Sequence, residues 1–270
     1  MKTWLDLLQD VKINGEDRPN RTGIDTRAVF GRQVLFKNTE DECPIVTTKK
    51  FFERQCFGEM AAFIQGYSTI KDFHKMGCTI WDANANSPYW LPHTKFEGDM
   101  GRLYGVQWRA WGNGLDQLTR LVNTLKTSPY DRRMVVTAWD PEELDQMCLP
   151  PCHIMFQCFV SNDKQLDLQV YMRSVDLFLG LPFDIAGYAL LQRLIAKEAG
   201  LKSRELIFSL GDAHIYHNHF EAVETVLSRS PMAPPKLVID KEATLFNFYP
   251  SDAKLVDYLY YPPIKAEMAV

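Results

Sequence analysis

Residues 150–200 read PPCHIMFQCFVSNDKQLDLQVYMRSVDLFLGLPFDIAGYALLQRLIAKEAG, and the order of elements in this stretch decides the fold class. His153 to Val160 and Leu166 to Met172 are runs of β-branched and aromatic residues of strand length, and Asn162-Asp163 between them is a hairpin-turn signal. Asp184 to Ala199 carries the strongest helical spacing of the chain and ends near Gly200. Paired strands feeding a long apolar helix predict an α+β domain.

Working outward, Trp4 to Val11, Gly58 to Gln65 (closed by Gly66), Leu115 to Leu125 and Ala213 to Ser228 have helical spacing. Thr26 to Phe36 reads as a strand whose internal glycine suggests a bulge, and Met134 to Trp139 and Leu237 to Asp240 read as further strands. Residues 85–100 hold two prolines and no period, which predicts a long loop; the tail 262–270 is short and apolar. No repeat or Gly/Ser linker divides the chain, so residues 1–270 are expected to form one domain.

With 46% hydrophobic and 24% charged residues, the chain has the composition of a globular protein with a substantial core. A formal charge of −4 argues against a DNA- or RNA-binding surface, which needs a basic excess. No run is long and apolar enough to span a membrane, and the start runs directly into an amphipathic pattern without a secretory leader. Six cysteines, five among hydrophobic neighbours, suit free thiols in a reducing cytoplasm.

Several residue types here carry chemistry. Cys152 is a candidate nucleophile: an ordinary thiol near pKa ~8.5 is little ionised at neutral pH, and a guanidinium such as Arg173 would favour the thiolate. The same cysteine, between prolines and a strand, also reads as a buried hydrophobe. Arg21, Arg132, Arg133 and Arg173, the last followed by Ser174, are donors suited to phosphate, though any one of them is equally a surface arginine. Asp184 at the head of the best helix reads as an N-cap. Cys148, Cys152 and His153, and likewise His214, His217 and His219, lack the spacing of a structural metal site, so no metal is expected.

Taken together, these residues resemble the thymidylate synthase family from Arg21 to Val270. The runs that carry the resemblance are Asn20-Arg-Thr-Gly23, Val46-Thr-Thr-Lys49, Glu59 with Phe63-Ile-Gln-Gly66, Thr79-Ile-Trp-Asp82 and Tyr104-Gly-Val-Gln-Trp-Arg-Ala-Trp111. They continue with Asp131-Arg-Arg133, Pro151-Cys-His153, Arg173-Ser174 with Asp176, Gly180-Leu-Pro-Phe183, Gly211-Asp-Ala-His-Ile-Tyr216 and Ile264 to Val270.

The resemblance implies a fold with a six-stranded sheet packed against helices and lying at a homodimer interface. It implies Cys152 as the nucleophile at C6 of a pyrimidine nucleoside monophosphate and 5,10-methylenetetrahydrofolate as one-carbon donor to C5. Glu59 would order water and protons, and Tyr104 would help remove the C5 proton. Arg21, Arg173 and Ser174 would hold the phosphate with Arg132 and Arg133 of the partner subunit, and His214 and Tyr216 the sugar. Lys49, Ile80, Trp81, Leu149, Asp176, Leu179, Gly180, Phe183 and Ala269 would meet the folate, with the tail closing over it.

The departures bear on specificity. Asp184 stands where synthases carry Asn. An amide accepts from uracil N3–H and donates to O4, whereas a carboxylate only accepts. Unperturbed, with a pKa of about 3.9, Asp184 would be ionised at pH 7 and would face O4 lone pair to lone pair. Cytosine presents an amino group instead, and its N3 can take a proton as C6 is attacked. The family's deoxycytidylate hydroxymethylases are similar here, and Met172 before Arg173 resembles them too.

Asn84, Ala62 and Gly187 replace a tryptophan, a frequent aromatic and a serine, which would loosen the folate site and admit water. The Met268-Ala-Val270 ending, by contrast, is typical of synthases. The expected activity is dCMP 5-hydroxymethylation, as used by phages making modified DNA (in the host cytoplasm if so encoded). The alternatives are dCMP 5-methylation by hydride transfer and thymidylate synthesis from dUMP. A catalytically silent nucleotide- or RNA-binding homologue is disfavoured, since a binder needs no nucleophile.

Overall fold

The computed structural model describes residues 1–267, so the expectation for Ala269 lies outside the described residues. The chain opens with helix α1 (Lys2–Asn14) and strands β1 (Glu16–Arg18) and β2 (Thr26–Lys37). Helices α2 (Glu53–Gln65), α3 (Ile70–Lys75), α4 (Asp82–Ala85), α5 (Tyr104–Arg109) and α6 (Gln117–Thr127) precede strand β3 (Val135–Thr137). Then come β4 (His153–Val160), β5 (Gln165–Asp176), α7 (Gly180–Ala199), β6 (Lys202–Tyr216), α8 (Phe220–Leu227), β7 (Lys236–Ile239) and β8 (Ala253–Val256).

Six strands form one sheet in the order β1-β2-β6-β5-β4-β3, antiparallel except for the parallel pair β5–β6. A parallel pair needs a crossover, and α7 supplies it. The α+β expectation holds, with the sheet packed against helices. α7 is buried on nearly every side, from Leu181 to Ala196, because it lies between β5, β6, α2 and α6. This fixes the helix that carries Asp184 as the most constrained element of the molecule. Among the described residues no helix is long and apolar enough to cross a membrane.

The sequence reading needs four corrections. First, the helix expected over Ala213 to Ser228 is instead the end of β6, a short 3-10 turn at His217–His219, and then α8. A Cβ at Gly211 would stand 2.9 Å from the Arg173 carbonyl oxygen. The glycine lets β6 approach β5 and does not end the strand.

Second, Gly31 makes no bulge. It adopts φ +73°, yet β2 keeps one register against β6 on both sides of it, from Phe30 opposite Asp212 to Arg32 opposite Leu210. Third, the loop at 85–100 begins at the end of α4 and contains a 3-10 turn at Leu91–His93.

Fourth, α7 starts at Gly180, four residues earlier than the periodicity indicates, with Pro182 tolerated in its first turn. Asp184 therefore lies inside the helix and caps nothing; α7 has no side-chain cap. In the turn that leads into it, Asp176 Oδ1 accepts from the N–H groups of Phe178 (2.9 Å) and Leu179 (3.2 Å).

Candidate active site

Two adjoining chambers open where β5, β6, the start of α7 and the loop before β4 meet. The outer one, of about 330 Å³, is polar and includes Arg18, Arg21, Arg173, Ser174, Asp212, His214 and Tyr216. The inner one, of about 440 Å³, is walled by Ile80, Trp81, Leu149, Leu179, Gly180 and Phe183 and also holds Glu59, Tyr104 and Asp184. Cys152, Asn84, Leu149, Ser174, Asp176 and Tyr216 line both. The thiol thus stands between an arginine-lined space and an apolar one.

Cys152 precedes β4 and is held from three directions. Its carbonyl accepts from Arg173 N–H at 2.8 Å, and its own N–H donates to the Tyr104 hydroxyl at 2.7 Å. The Arg173 guanidinium donates to the carbonyls of Pro151 (2.7 Å) and Pro150 (3.0 Å) and lies over the Trp139 ring. Two of its donors thus hold the loop that carries the thiol, leaving others for an anion. Burial raises the Cys152 pKa, and the attraction of Arg173 only partly opposes it. The expected thiolate is therefore not the resting form; desolvation outweighs the guanidinium.

Behind the thiol lies a dry, hydrogen-bonded cluster. The Trp81 indole N–H donates to Glu59 Oε1 at 2.7 Å, and burial pushes the Glu59 pKa up to about 7. Tyr104 stacks on His153 with ring centroids 3.9 Å apart. His153 Nδ1 bonds the Tyr188 hydroxyl at 2.8 Å, while its Nε2 stands 3.8 Å from Asp184 Oδ1. Burial pushes His153 down to about 3, so the imidazole is neutral at physiological pH.

Asp184 consequently faces no cation that could hold it ionised. Burial, then the nearby Glu59 and Asp176 carboxyls, raise its pKa well above the carboxylate range. Asp184 is thus not the unperturbed carboxyl that its sequence position alone describes. The sequence reading gave His153 and Tyr188 no role. Tyr188 could have been found, since it lies one helical turn after Asp184 on the same face.

In the outer chamber Asp212 Oδ1 accepts from His214 Nδ1 at 3.0 Å, and Asp212 Oδ2 accepts from Arg18 at 2.8 Å. This holds a proton on Nδ1 of His214 and turns Nε2 away from Asp212. Arg18, absent from the sequence reading, carries no motif signal; its place follows only from the β1–β2 pairing. Lys49 lines the inner chamber, but its ammonium donates to the Phe178 carbonyl at 2.7 Å, and burial lowers its pKa to about 8.

Arg132 and Arg133 line neither chamber. They border a separate surface hollow with Thr127 to Asp131, and Arg133 pairs with Asp131 at 2.7 Å. Of the departures Met172, Asn84, Ala62 and Gly187, the first two reach the chambers. Ala62 and Gly187 do not: Ala62 is fully buried in α2, and a Cβ at Gly187 would meet Met60 and Cys56 in the core. They adjust helix packing and leave the inner chamber's lining unchanged.

Among the described residues no cluster of His, Cys, Asp or Glu is arranged to hold a metal ion. The apolar inner walls and the size of the chamber fit a flat, drug-sized aromatic cosubstrate. The thymidylate synthase family model matches residues 2–270. The thymidylate synthase of Brachyspira hyodysenteriae (strain ATCC 49526 / WA1) is 44% identical over 275 aligned residues, which cover the whole of both chains. The chain therefore belongs to the thymidylate synthase family, folate-dependent enzymes that use methylenetetrahydrofolate to modify pyrimidine C5.

Proposed function

We propose that this enzyme transfers a one-carbon unit to C5 of dCMP and releases the 5-hydroxymethyl product. The observation that carries the base assignment is Asp184, a carboxyl in the second turn of α7 that lines the same chamber as Cys152. Its raised pKa supplies a proton for cytosine N3. In the bound state the acid donates to N3 and accepts from the N4 amino group, a matched pair.

The Cys152 thiol gives its proton to solvent and its sulfur adds to C6, electrons move through the ring to N3, and the Asp184 proton passes to N3. The carboxylate left behind accepts from both N3–H and N4–H, so its bonds strengthen along the reaction. Uracil has no such basic nitrogen: its N3 already carries a hydrogen, and the charge develops on O4.

The other roles follow from chemistry and position. Arg21, Arg173 and Ser174 hold the phosphate, and His214 and Tyr216 bind the sugar hydroxyl. Ile80, Trp81, Leu149, Asp176, Leu179, Gly180 and Phe183 receive the folate. When bound, methylenetetrahydrofolate supplies a one-carbon unit at the oxidation level of formaldehyde, together with a hydride where methyl is the product. Tyr104 and Glu59, joined by ordered water, remove the C5 proton. Asn84 presents a polar side chain at the junction of the chambers and favours capture of the exocyclic carbon by water.

The protein acts as a homodimer. The sheet face away from the helices exposes Phe30, Leu35, Phe159 and Tyr171, and a second copy seated there buries them around a two-fold axis. Arg132 and Arg133, just before the edge strand β3, then reach the phosphate of the partner's site.

A second reading, methylation of dUMP to thymidylate, is favoured by the same raised pKa. A neutral carboxyl, like an amide, can accept from N3–H and donate to O4. The name of the 44% identical relative points the same way. Release of tritium from C5 separates the two: dependence on methylenetetrahydrofolate with [5-³H]dCMP and weak release from [5-³H]dUMP support the first, and the reverse preference overturns it.

A further inference from the structure

His219 ends the 3-10 turn between β6 and α8 and is fully buried against the Phe178 and Tyr216 rings. Its Nε2 lies 2.7 Å from the main-chain carbonyl oxygen of Glu267, in the C-terminal segment. A carbonyl only accepts, so the proton is on Nε2. The other ring nitrogen, Nδ1, has no hydrogen-bond partner among the described residues and stands 4.0 Å from Oδ1 of Asp176.

Among the described residues the ring therefore has one hydrogen bond, and that bond is to the tail. If the tail lifts away, a buried N–H loses its acceptor while Nδ1 gains nothing, which disfavours the open form. The segment held this way matters to the site. Ile264 lines the inner chamber, and Ala266 packs on the core beside it. Asp176, across from Nδ1, lines both chambers and holds the turn that leads into α7.

We propose that His219 is a positioning residue that latches the C-terminal segment over the inner chamber, through Nε2–H and the Glu267 carbonyl, and so sets the affinity for the folate cosubstrate. This rests on the reading that the inner chamber takes the folate.

The test uses the full-length enzyme with dCMP and methylenetetrahydrofolate. His219→Leu should raise the KM for methylenetetrahydrofolate on the order of tenfold, the effect of one buried hydrogen bond. The nucleotide KM should stay within about twofold, and the tail should become open to carboxypeptidase in the presence of both substrates. His219→Gln, whose amide nitrogen can occupy the Nε2 position, should restore both properties.

If His219→Leu does not fold, His219→Asn, too short to reach Glu267, takes its place. A chain ending at Lys265 should show the same folate defect and be indifferent to the residue at 219. Equal losses for both substrates, a Gln variant as poor as Leu, or additive effects in the truncated chain would overturn the latch. Absence of folate-dependent tail protection in the wild type would instead overturn the folate reading beneath it.

Discussion

The Nε2 of His153 stands 3.8 Å from Oδ1 of Asp184, too far for a good hydrogen bond, and the ring it belongs to is neutral. The base-reading carboxyl is therefore set among aromatic rings and other carboxyls with no formal positive charge to hold it ionised. The predictions below follow from that relationship and from the division of the site into two chambers.

Replacing the carboxyl by an amide removes the proton that cytosine N3 requires while keeping the pair that uracil prefers. Asp184→Asn should shift the ratio of kcat/KM for dCMP over dUMP toward dUMP by roughly a hundredfold or more, the scale of mismatched hydrogen-bonding groups in a buried site. Steady-state kinetics on both nucleotides check this, and an unchanged ratio removes Asp184 from base recognition.

Base preference should also depend on pH. The Asp184 pKa is raised, so the protonated form present at low pH is lost as pH rises through that value. Pairing with the N3–H and O4 of dUMP needs the neutral acid, so dUMP turnover should fall first. Cytosine N3 shares the proton and keeps it bound to higher pH, so the dCMP to dUMP ratio should climb as pH rises through the Asp184 pKa. Parallel pH profiles of kcat/KM would show that one proton does not distinguish the bases.

The same raised pKa is a stability statement. Relative to the unfolded chain, buried Asp184 and Glu59 (the latter near 7) contribute stability at low pH, and that contribution is lost as pH rises through their folded values. Asp184→Asn should therefore raise the Tm more at pH 8 than at pH 5 in ligand-free protein. Differential scanning calorimetry at the two pH values measures the difference, and a larger gain at pH 5 contradicts the assignment.

Cys152→Ser should abolish turnover, because a serine hydroxyl at this site has neither the acidity nor the nucleophilicity of the thiol. Circular dichroism should be unchanged. Arg132→Ala/Arg133→Ala should fail too, yet an equal mixture of the two inactive proteins, allowed to exchange subunits, should regain about a quarter of wild-type activity. Half the dimers are then mixed, each with one intact site of two. No recovery means that the arginines serve their own chain.

Much of this site could be read from the sequence, for reasons specific to each residue. Cys152, Arg173, Ser174 and Asp184 lie on a hairpin and helix whose local patterns are strong, and the structure brings them together. The helical spacing over Ala213 to Ser228 hides the end of β6, because that strand is set by pairing with β2 and β5, which no local window contains. The Gly180 start of α7 escapes the pattern because no side chain caps it and Pro182 stands in its first turn.

The perturbation of Asp184 was equally out of reach, since its burial and the Glu59 and Asp176 carboxyls that raise its pKa come together only in three dimensions. Nor did the sequence disclose that Ala62 and Gly187 pack in the core, away from the chambers.

The central claim is tested most directly by mass spectrometry of the nucleotides formed when equal concentrations of dCMP and dUMP compete for the enzyme with methylenetetrahydrofolate present. The account predicts 5-hydroxymethyl-dCMP as the main product, with dUMP largely unconsumed. Thymidylate formed from dUMP while dCMP remains unmodified would contradict it.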